Sequence, residues 1–69
     1  MDRTAVSSKN IASIGYCKES EVLEIEFKRG GFYQYSEVPI EEFDALMEAA
    51  SHGKYFNANI RERYPASKQ

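Results

Sequence analysis

The chain has few of the groups that small domains use as covalent or catalytic devices. Its 69 residues include one cysteine, Cys17, and no tryptophan. A single cysteine cannot form an intramolecular disulfide, so the crosslinks typical of small secreted domains are excluded. We therefore expect a cytoplasmic domain held together by a small apolar core.

Long apolar runs are also absent. No stretch approaches the roughly 20 apolar residues that a membrane-spanning helix needs, and residues 1–10 contain no apolar core of a signal peptide. The sequence predicts neither membrane insertion nor export.

Residues that commonly carry catalysis or bind metals are scarce. His52 is the only histidine, and no sequence pattern joins it or Cys17 to a base or to an orienting carboxylate. One histidine and one cysteine leave a zinc site two nitrogen or sulfur ligands short. We expect a non-enzymatic domain with no catalytic residue, no bound metal and no cofactor.

Charge is unevenly distributed along the chain. The net charge is −2, but residues 1–53 carry five basic and ten acidic side chains, whereas residues 54–69 carry four basic and one acidic. The acidic excess argues against wrapping long nucleic acids, because such binding depends on many lysines and arginines. The basic end still allows a local contact with phosphate or with an acidic partner.

Three segments have the two-residue period of β-strands. In the clearest, Leu23, Ile25 and Phe27 alternate with Glu24 and Glu26, which predicts one face in the core and one in solvent. The other two segments are residues 9–16, where Ala12, Ile14 and Tyr16 share the apolar face, and residues 32–35. The links between them are too short for a parallel crossover, so we expect an antiparallel meander.

Two segments with helical spacing follow. Pro39 suits the first position of a helix running to about Ala50, and a second helix is predicted from Lys54 to Tyr64. The predicted fold is α+β, a three-stranded antiparallel β-meander packed by two C-terminal helices. It forms a single domain over residues 1–69, with residues 1–8 and 66–69 flexible.

Several short motifs occur together in a distinctive order. They are Ser7-Ser8, Asn10-Ile11, Ile14-Gly15-Tyr16, Tyr33-x-Tyr35, Val38-Pro39, Ser51-x-Gly53-Lys54-Tyr55-Phe56-Asn57 and Ile60-Arg61. In this order they resemble the KTSC family, a small domain found at the C-terminus of some lysyl-tRNA synthetases and as stand-alone bacterial proteins. The synthetase association implies RNA binding. Cys17 stands where an acidic residue often follows the Gly-Tyr pair of that family.

Tyr33 and Tyr35 are candidate ligand-binding residues. Because they are two positions apart on a strand, both rings point to one side, as in sheets that stack nucleotide bases. Tyrosines facing an amphipathic helix are more often core rings with a hydroxyl at the rim. Both interpretations remain open from the sequence.

The start of the second helix is a candidate anion site. Ser51 can cap the helix, leaving the backbone N–H groups of Gly53 and Lys54 free beside the lysine charge. Alternatively, Gly53 only stops the preceding helix. Asn57 and Arg61, four residues apart on the same helix, could read or clamp a ligand, or Arg61 could instead pair with a surface carboxylate.

Two binding functions are compatible with these residues. The first is binding of RNA or another phosphate-bearing ligand through six residues: Tyr33, Tyr35, Ser51, Lys54, Asn57 and Arg61. The alternative is a protein–protein interaction adaptor that uses an aromatic patch formed by the same tyrosines and Tyr55.

Overall fold

The structure, a computed structural model, describes residues 3–69. The elements in chain order are β1 (Arg3–Ala5), β2 (Ile11–Cys17), β3 (Val22–Phe27), β4 (Phe32–Tyr35), α1 (Ile40–Glu48), α2 (His52–Asn59) and β5 (Ala66–Lys68). The five strands form one antiparallel sheet in the order β1-β2-β3-β4-β5. The fold is therefore α+β, with a sheet and two helices.

The sheet has five strands where the sequence predicts three. The predicted meander corresponds to β2, β3 and β4, while β1 pairs with β2 and β5 pairs with β4 as short edge strands. All six residues of the edge strands are exposed, so no buried apolar side chain marks them. The edge strands are held by backbone hydrogen bonds to the neighbouring strands, and these bonds leave no periodic pattern of apolar residues in the sequence. Residues 1–2 of the segment predicted to be flexible lie outside the described part of the chain.

The core lies between the sheet and the helices. Ile25 at the centre of β3 is fully buried, as are Leu23 in the same strand and Leu46 in α1. The other buried apolar residues are Ile11, Ile14, Tyr35, Val38, Phe56 and Ile60. The predicted alternation of β3 is confirmed on its apolar face.

A β-bulge changes which residues of β2 reach this core. The pairing of β2 with β3 shifts register between Ile11 and Ser13. Ile11 is fully buried as a result, whereas Ala12, which the alternation assigns to the core face, is only half-buried. An extra residue in one strand moves the side chains beyond it to the opposite face.

The outer face of the sheet differs from the prediction at Glu24. This side chain, expected in solvent, is only 9% exposed. Its carboxylate accepts hydrogen bonds from Arg3 Nη1 at 2.6 Å and from Gln34 Nε2 at 3.1 Å. The guanidinium of Arg3 also lies 4.3 Å from the centre of the Phe32 ring. Strand β1 therefore covers Glu24, and the pattern of β3 alone could not show this.

Both helices have bounds that differ from the predicted ones. Pro39 is the N-cap of α1 rather than its first residue, and the helix ends at Glu48. α2 begins at His52 and ends at Asn59, so Tyr64 lies beyond it. Ile60 is fully buried and caps α2, after which the chain turns towards β5. Within residues 3–69, no helix has the length and apolar composition needed to cross a membrane.

Candidate nucleic-acid interface

Two grooves share a wall formed by Asn10, Gly53 and Asn57. The first groove has a volume of about 730 Å³. The remaining residues that line it are Ile11, Phe27, Arg29, Gly30, Tyr33, Tyr35, Phe56, Arg61, Ala66 and Lys68. It therefore runs between the β3–β4 turn, strand β5 and the end of α2.

The second groove, of about 650 Å³, lies at the start of α2. Besides the shared wall, it is lined by Ser7, Ser8, Lys9, Lys28, Ala50, Ser51, His52 and Lys54. The loop before β2 forms one side, and the link between the helices forms the other.

The charged residues that line the two grooves are all basic. Three cations border the first groove and three the second: Arg29, Arg61 and Lys68, then Lys9, Lys28 and Lys54. All six are exposed, and no aspartate or glutamate of residues 3–69 is among the lining residues. The ion pair found over the described range is Arg3–Glu24, on the outer face of the sheet. A chain of net charge −2 thus has a strongly basic surface at these grooves.

Aromatic rings form the floor of the first groove. Tyr33 is half-buried and contacts Phe27 edge-to-face, with ring centres 5.5 Å apart. Tyr35 is only 4% exposed and packs edge-to-face on Phe56 at 5.3 Å. The two tyrosines do share a side of β4, but Tyr35 is a core ring and Tyr33 is the accessible one.

The environment of Tyr35 also affects its ionisation. Burial raises the pKa of the Tyr35 hydroxyl, and the neighbouring Tyr33 adds to this, while Arg61 acts in the opposite direction. The hydroxyl is therefore neutral at physiological pH and keeps its proton as a hydrogen-bond donor.

The start of α2 is only partly as predicted. Ser51 caps the helix, its Oγ accepting a hydrogen bond from the Lys54 backbone N–H at 3.3 Å. That N–H is consequently not free for an anion. Gly53 lies inside α2 and is buried, and a Cβ built on it would lie 3.5 Å from Ser8 Oγ. The interpretation of Gly53 as the stop of the preceding helix is wrong, and the Lys54 N–H predicted to be free is engaged by the Ser51 cap.

Asn57 and Arg61 both line the first groove, although Arg61 lies just past the end of α2. Its backbone N–H donates to the carbonyl of Phe56 at 2.9 Å, which holds the chain in a tight turn there. Asn57 and Arg61 are predicted to share a face of one helix. They line the same groove even though the helix ends at Asn59, before Arg61.

All six predicted site residues line one groove or the other. Tyr33, Tyr35 and Arg61 belong to the first, Ser51 and Lys54 to the second, and Asn57 to both. Sequence reasoning missed Asn10 and four basic residues, namely Lys9, Lys28, Arg29 and Lys68. Three of these cations come from the segment of the chain with the acidic excess, so only their arrangement in space reveals them.

His52 lines the second groove with one ring nitrogen already engaged. Its Nδ1 lies 2.9 Å from the carbonyl oxygen of Leu46. A carbonyl only accepts, so Nδ1 carries the proton. In the part of the chain from residue 3 onwards, no three side chains of histidine, cysteine, aspartate or glutamate are grouped to hold a metal ion.

Comparison with known proteins identifies relatives along nearly the whole chain. A protein from Stutzerimonas stutzeri, named only "Uncharacterized protein", is 46% identical over 64 residues, which cover 93% of this chain and 90% of the relative. A protein from Tsukamurella paurometabola is 38% identical over 61 residues, covering 88% of this chain and 91% of the relative.

A solved structure shares the fold closely. The crystal structure of a KTSC domain protein from Yersinia pestis superposes with a TM-score of 0.96 at 38% identity, covering 99% of this chain and 96% of the other. The sequence profile of the KTSC domain matches residues 7–64, a span that includes β2, β3, β4 and both helices. This chain belongs to the KTSC domain family.

Proposed function

We propose that this domain is a non-enzymatic binding module for RNA or a related phosphate-bearing ligand, held in the two grooves. The observation that carries the proposal is the composition of their charged lining. The grooves collect six of the nine basic residues of the chain, and no acidic residue of positions 3–69 lines them.

This arrangement favours a polyanion on electrostatic grounds. Concave surfaces lined by charges of one sign concentrate ligands of the opposite sign and speed their association. Six exposed cations around two adjoining grooves can contact several phosphates at once. The acidic remainder of the molecule repels the same ligand, so we expect it to bind at this face.

The first groove also offers contacts to a nucleobase. The half-buried ring of Tyr33 can stack with a base, and the exposed amides of Asn10 and Asn57 can hydrogen-bond to base edges. An inorganic phosphate cannot stack on the Tyr33 ring and has no base edge for the two amides to bind, which is why RNA fits the site better.

The aromatic patch required by the adaptor hypothesis is less well supported. Tyr55 is half-buried, and its hydroxyl donates a hydrogen bond to the Glu42 carboxylate. Tyr35 is buried in the core. Of the three tyrosines, Tyr55 is therefore engaged through its hydroxyl and Tyr35 through its buried ring, which leaves Tyr33 as the accessible one.

Titration of a labelled single-stranded RNA, followed by fluorescence anisotropy at several salt concentrations, tests the proposal. Each phosphate neutralised on a single strand changes the slope of log K against log salt by about −0.7. We expect binding at low salt that weakens with a slope of about −2 or steeper, because at least the three cations of one groove take part.

Variants at the grooves locate the binding. Lys54→Ala and Arg61→Ala should each weaken binding and make the slope shallower by about 0.7, without a large loss of stability, since both side chains are exposed. Lys18→Ala is the matched control, because Lys18 is exposed but lines neither groove. Absence of binding at low salt would rule out RNA and favour the adaptor. Equal effects of all three substitutions would place the ligand elsewhere.

A further inference from the structure

We infer that the ligand is a single-stranded oligonucleotide that occupies both grooves at once, with a base in the first and backbone phosphates in the second. This inference rests on the proposed function and adds to it the strandedness and the minimum length of the ligand. It follows from the different linings of the two grooves and from the wall that they share.

The residues that line the first groove suit a base, and those that line the second suit phosphates. The first groove has an aromatic floor that includes Phe27 and Tyr33, with cations around it. Among the described residues that line the second, none is phenylalanine or tyrosine, and most are lysine, serine or asparagine. A base can stack in the first groove. In the second groove, the lysines can pair with backbone phosphates, and the serines and asparagines can hydrogen-bond to them.

The grooves are contiguous and not two separate sites. Asn10, Gly53 and Asn57 contribute to the lining of both. Gly53 has no side chain at this wall and is itself buried beneath Ser8. A flexible strand can therefore pass from one groove to the other along the amides of Asn10 and Asn57.

The position of Tyr33 selects for a single strand. Its ring is half-buried at the floor of a groove, so a base must leave its own stack to reach it. Bases in a duplex are paired and stacked, and extruding one breaks both kinds of interaction. A single strand can place an unpaired base there at much smaller cost.

Length should therefore control affinity. A mononucleotide placed in the first groove leaves the three lysines of the second without a phosphate. An oligonucleotide that spans both grooves can contact all six cations. The expected slope of log K against log salt is then about −4. Chains longer than the two grooves gain nothing further.

The experiment compares uridine monophosphate, uridine oligonucleotides of two to eight residues and a blunt RNA duplex, by isothermal calorimetry or NMR titration of the whole protein. We expect affinity to rise by at least tenfold from the mononucleotide to the tetranucleotide and then to level off, with the duplex binding more weakly than a strand of equal length. A deoxythymidine oligonucleotide shows whether the 2′-hydroxyl contributes.

A double variant tests the second groove. The double substitution Lys9→Ala and Lys28→Ala should reduce the affinity for the tetranucleotide about tenfold more than the affinity for the mononucleotide. Lys18→Ala serves as the control. If the tetranucleotide binds with the affinity and salt slope of the mononucleotide, the spanning arrangement is overturned while the proposed function stands. If no oligonucleotide binds at low salt, both fail. A duplex that binds as tightly as the strand overturns the single-strand assignment.

Discussion

Glu24 shows how one side chain departs from the pattern of its strand. It lies on the outer face of β3, yet it is nearly buried by Arg3, Gln34 and the edge strand that carries Arg3. Burial by itself raises the pKa of Glu24, but the hydrogen bonds from Gln34 and Arg3 and the charge of Arg3 together outweigh it, so the pKa lies below its usual value. The ionised carboxylate therefore stabilises the folded state.

This pKa shift predicts a loss of stability in acid. Because the folded state holds the proton less tightly than the unfolded state, the contribution is complete above about pH 4.3 and is lost as the pH falls through the lower folded pKa. Glu24→Gln should cost about 1 kcal/mol near neutral pH. The difference in the free energy of unfolding between Glu24→Gln and the unmodified protein should become smaller in acid.

Urea unfolding near pH 7 and near pH 3 measures this difference. Glu19→Gln is the control, because Glu19 is an exposed carboxylate in the β2–β3 turn. A stability difference for Glu24→Gln that stays constant with pH would contradict the assignment.

At the scale of elements, one carboxylate joins the two helices to the segment before β5. Glu42 in α1 accepts a hydrogen bond from the Tyr55 hydroxyl in α2 and another, at 2.8 Å, from the Tyr64 hydroxyl beyond α2. The Glu42 hydrogen bond, with some burial, raises the pKa of Tyr55. Burial and then the same carboxylate raise the pKa of Tyr64. Tyr64, predicted as the last residue of a helix, instead anchors the chain after that helix has ended.

Removing either hydroxyl should weaken this junction. Tyr55→Phe and Tyr64→Phe should each cost about 1 kcal/mol, and Glu42→Ala should cost more than either because both hydroxyls lose their acceptor. A double-mutant cycle on urea midpoints measures the coupling of each pair, and Glu41→Ala is the control, since Glu41 is the exposed neighbour in α1.

The same junction predicts an alkaline limit to stability. Since the tyrosine pKa values are higher in the folded state, their contribution is complete below about pH 10 and is lost as the pH rises through the folded values. Ultraviolet titration should show the two tyrosines ionising at lower pH in Glu42→Ala. An unchanged titration curve would mean that Glu42 does not control these tyrosines.

For the whole molecule, the small core limits total stability. The Cα radius of gyration is 10.6 Å, and a chain of this length is expected to have a free energy of unfolding of about 3–10 kcal/mol. Ile25 lies fully buried at the centre of the sheet. A substitution that leaves a large cavity at Ile25 should therefore remove a large part of the free energy of unfolding of the domain.

Ile25→Ala should therefore cost about 2–5 kcal/mol and shift or abolish the cooperative unfolding transition. Val22→Ala, in the same strand but half-buried, is the matched control and should cost about 1 kcal/mol or less. Chemical denaturation followed by circular dichroism compares the two. An unchanged midpoint for Ile25→Ala would show that this face of β3 is not the core.

Local sequence patterns predict the features that depend on residues close together along the chain. The alternation of Leu23, Ile25 and Phe27 predicts the central strand, the three- and four-residue spacing predicts α1, and Ser51 predicts the cap of α2. These signals are local because strand periodicity, helical spacing and capping involve residues within four positions of one another. The order of short motifs also identified the family.

The edge strands, the bulge at Ile11 and the basic lining of the grooves become visible only once the chain is folded. The edge strands are held by backbone pairing that has no side-chain pattern, and the bulge reverses the alternation that would otherwise assign Ala12 to the core. The grooves gather cations from residues 9 to 68, while the net charge of the chain is negative. Electrostatic potential depends on distance in space, so the order of charges along the chain could not reveal that one face of an acidic protein is basic.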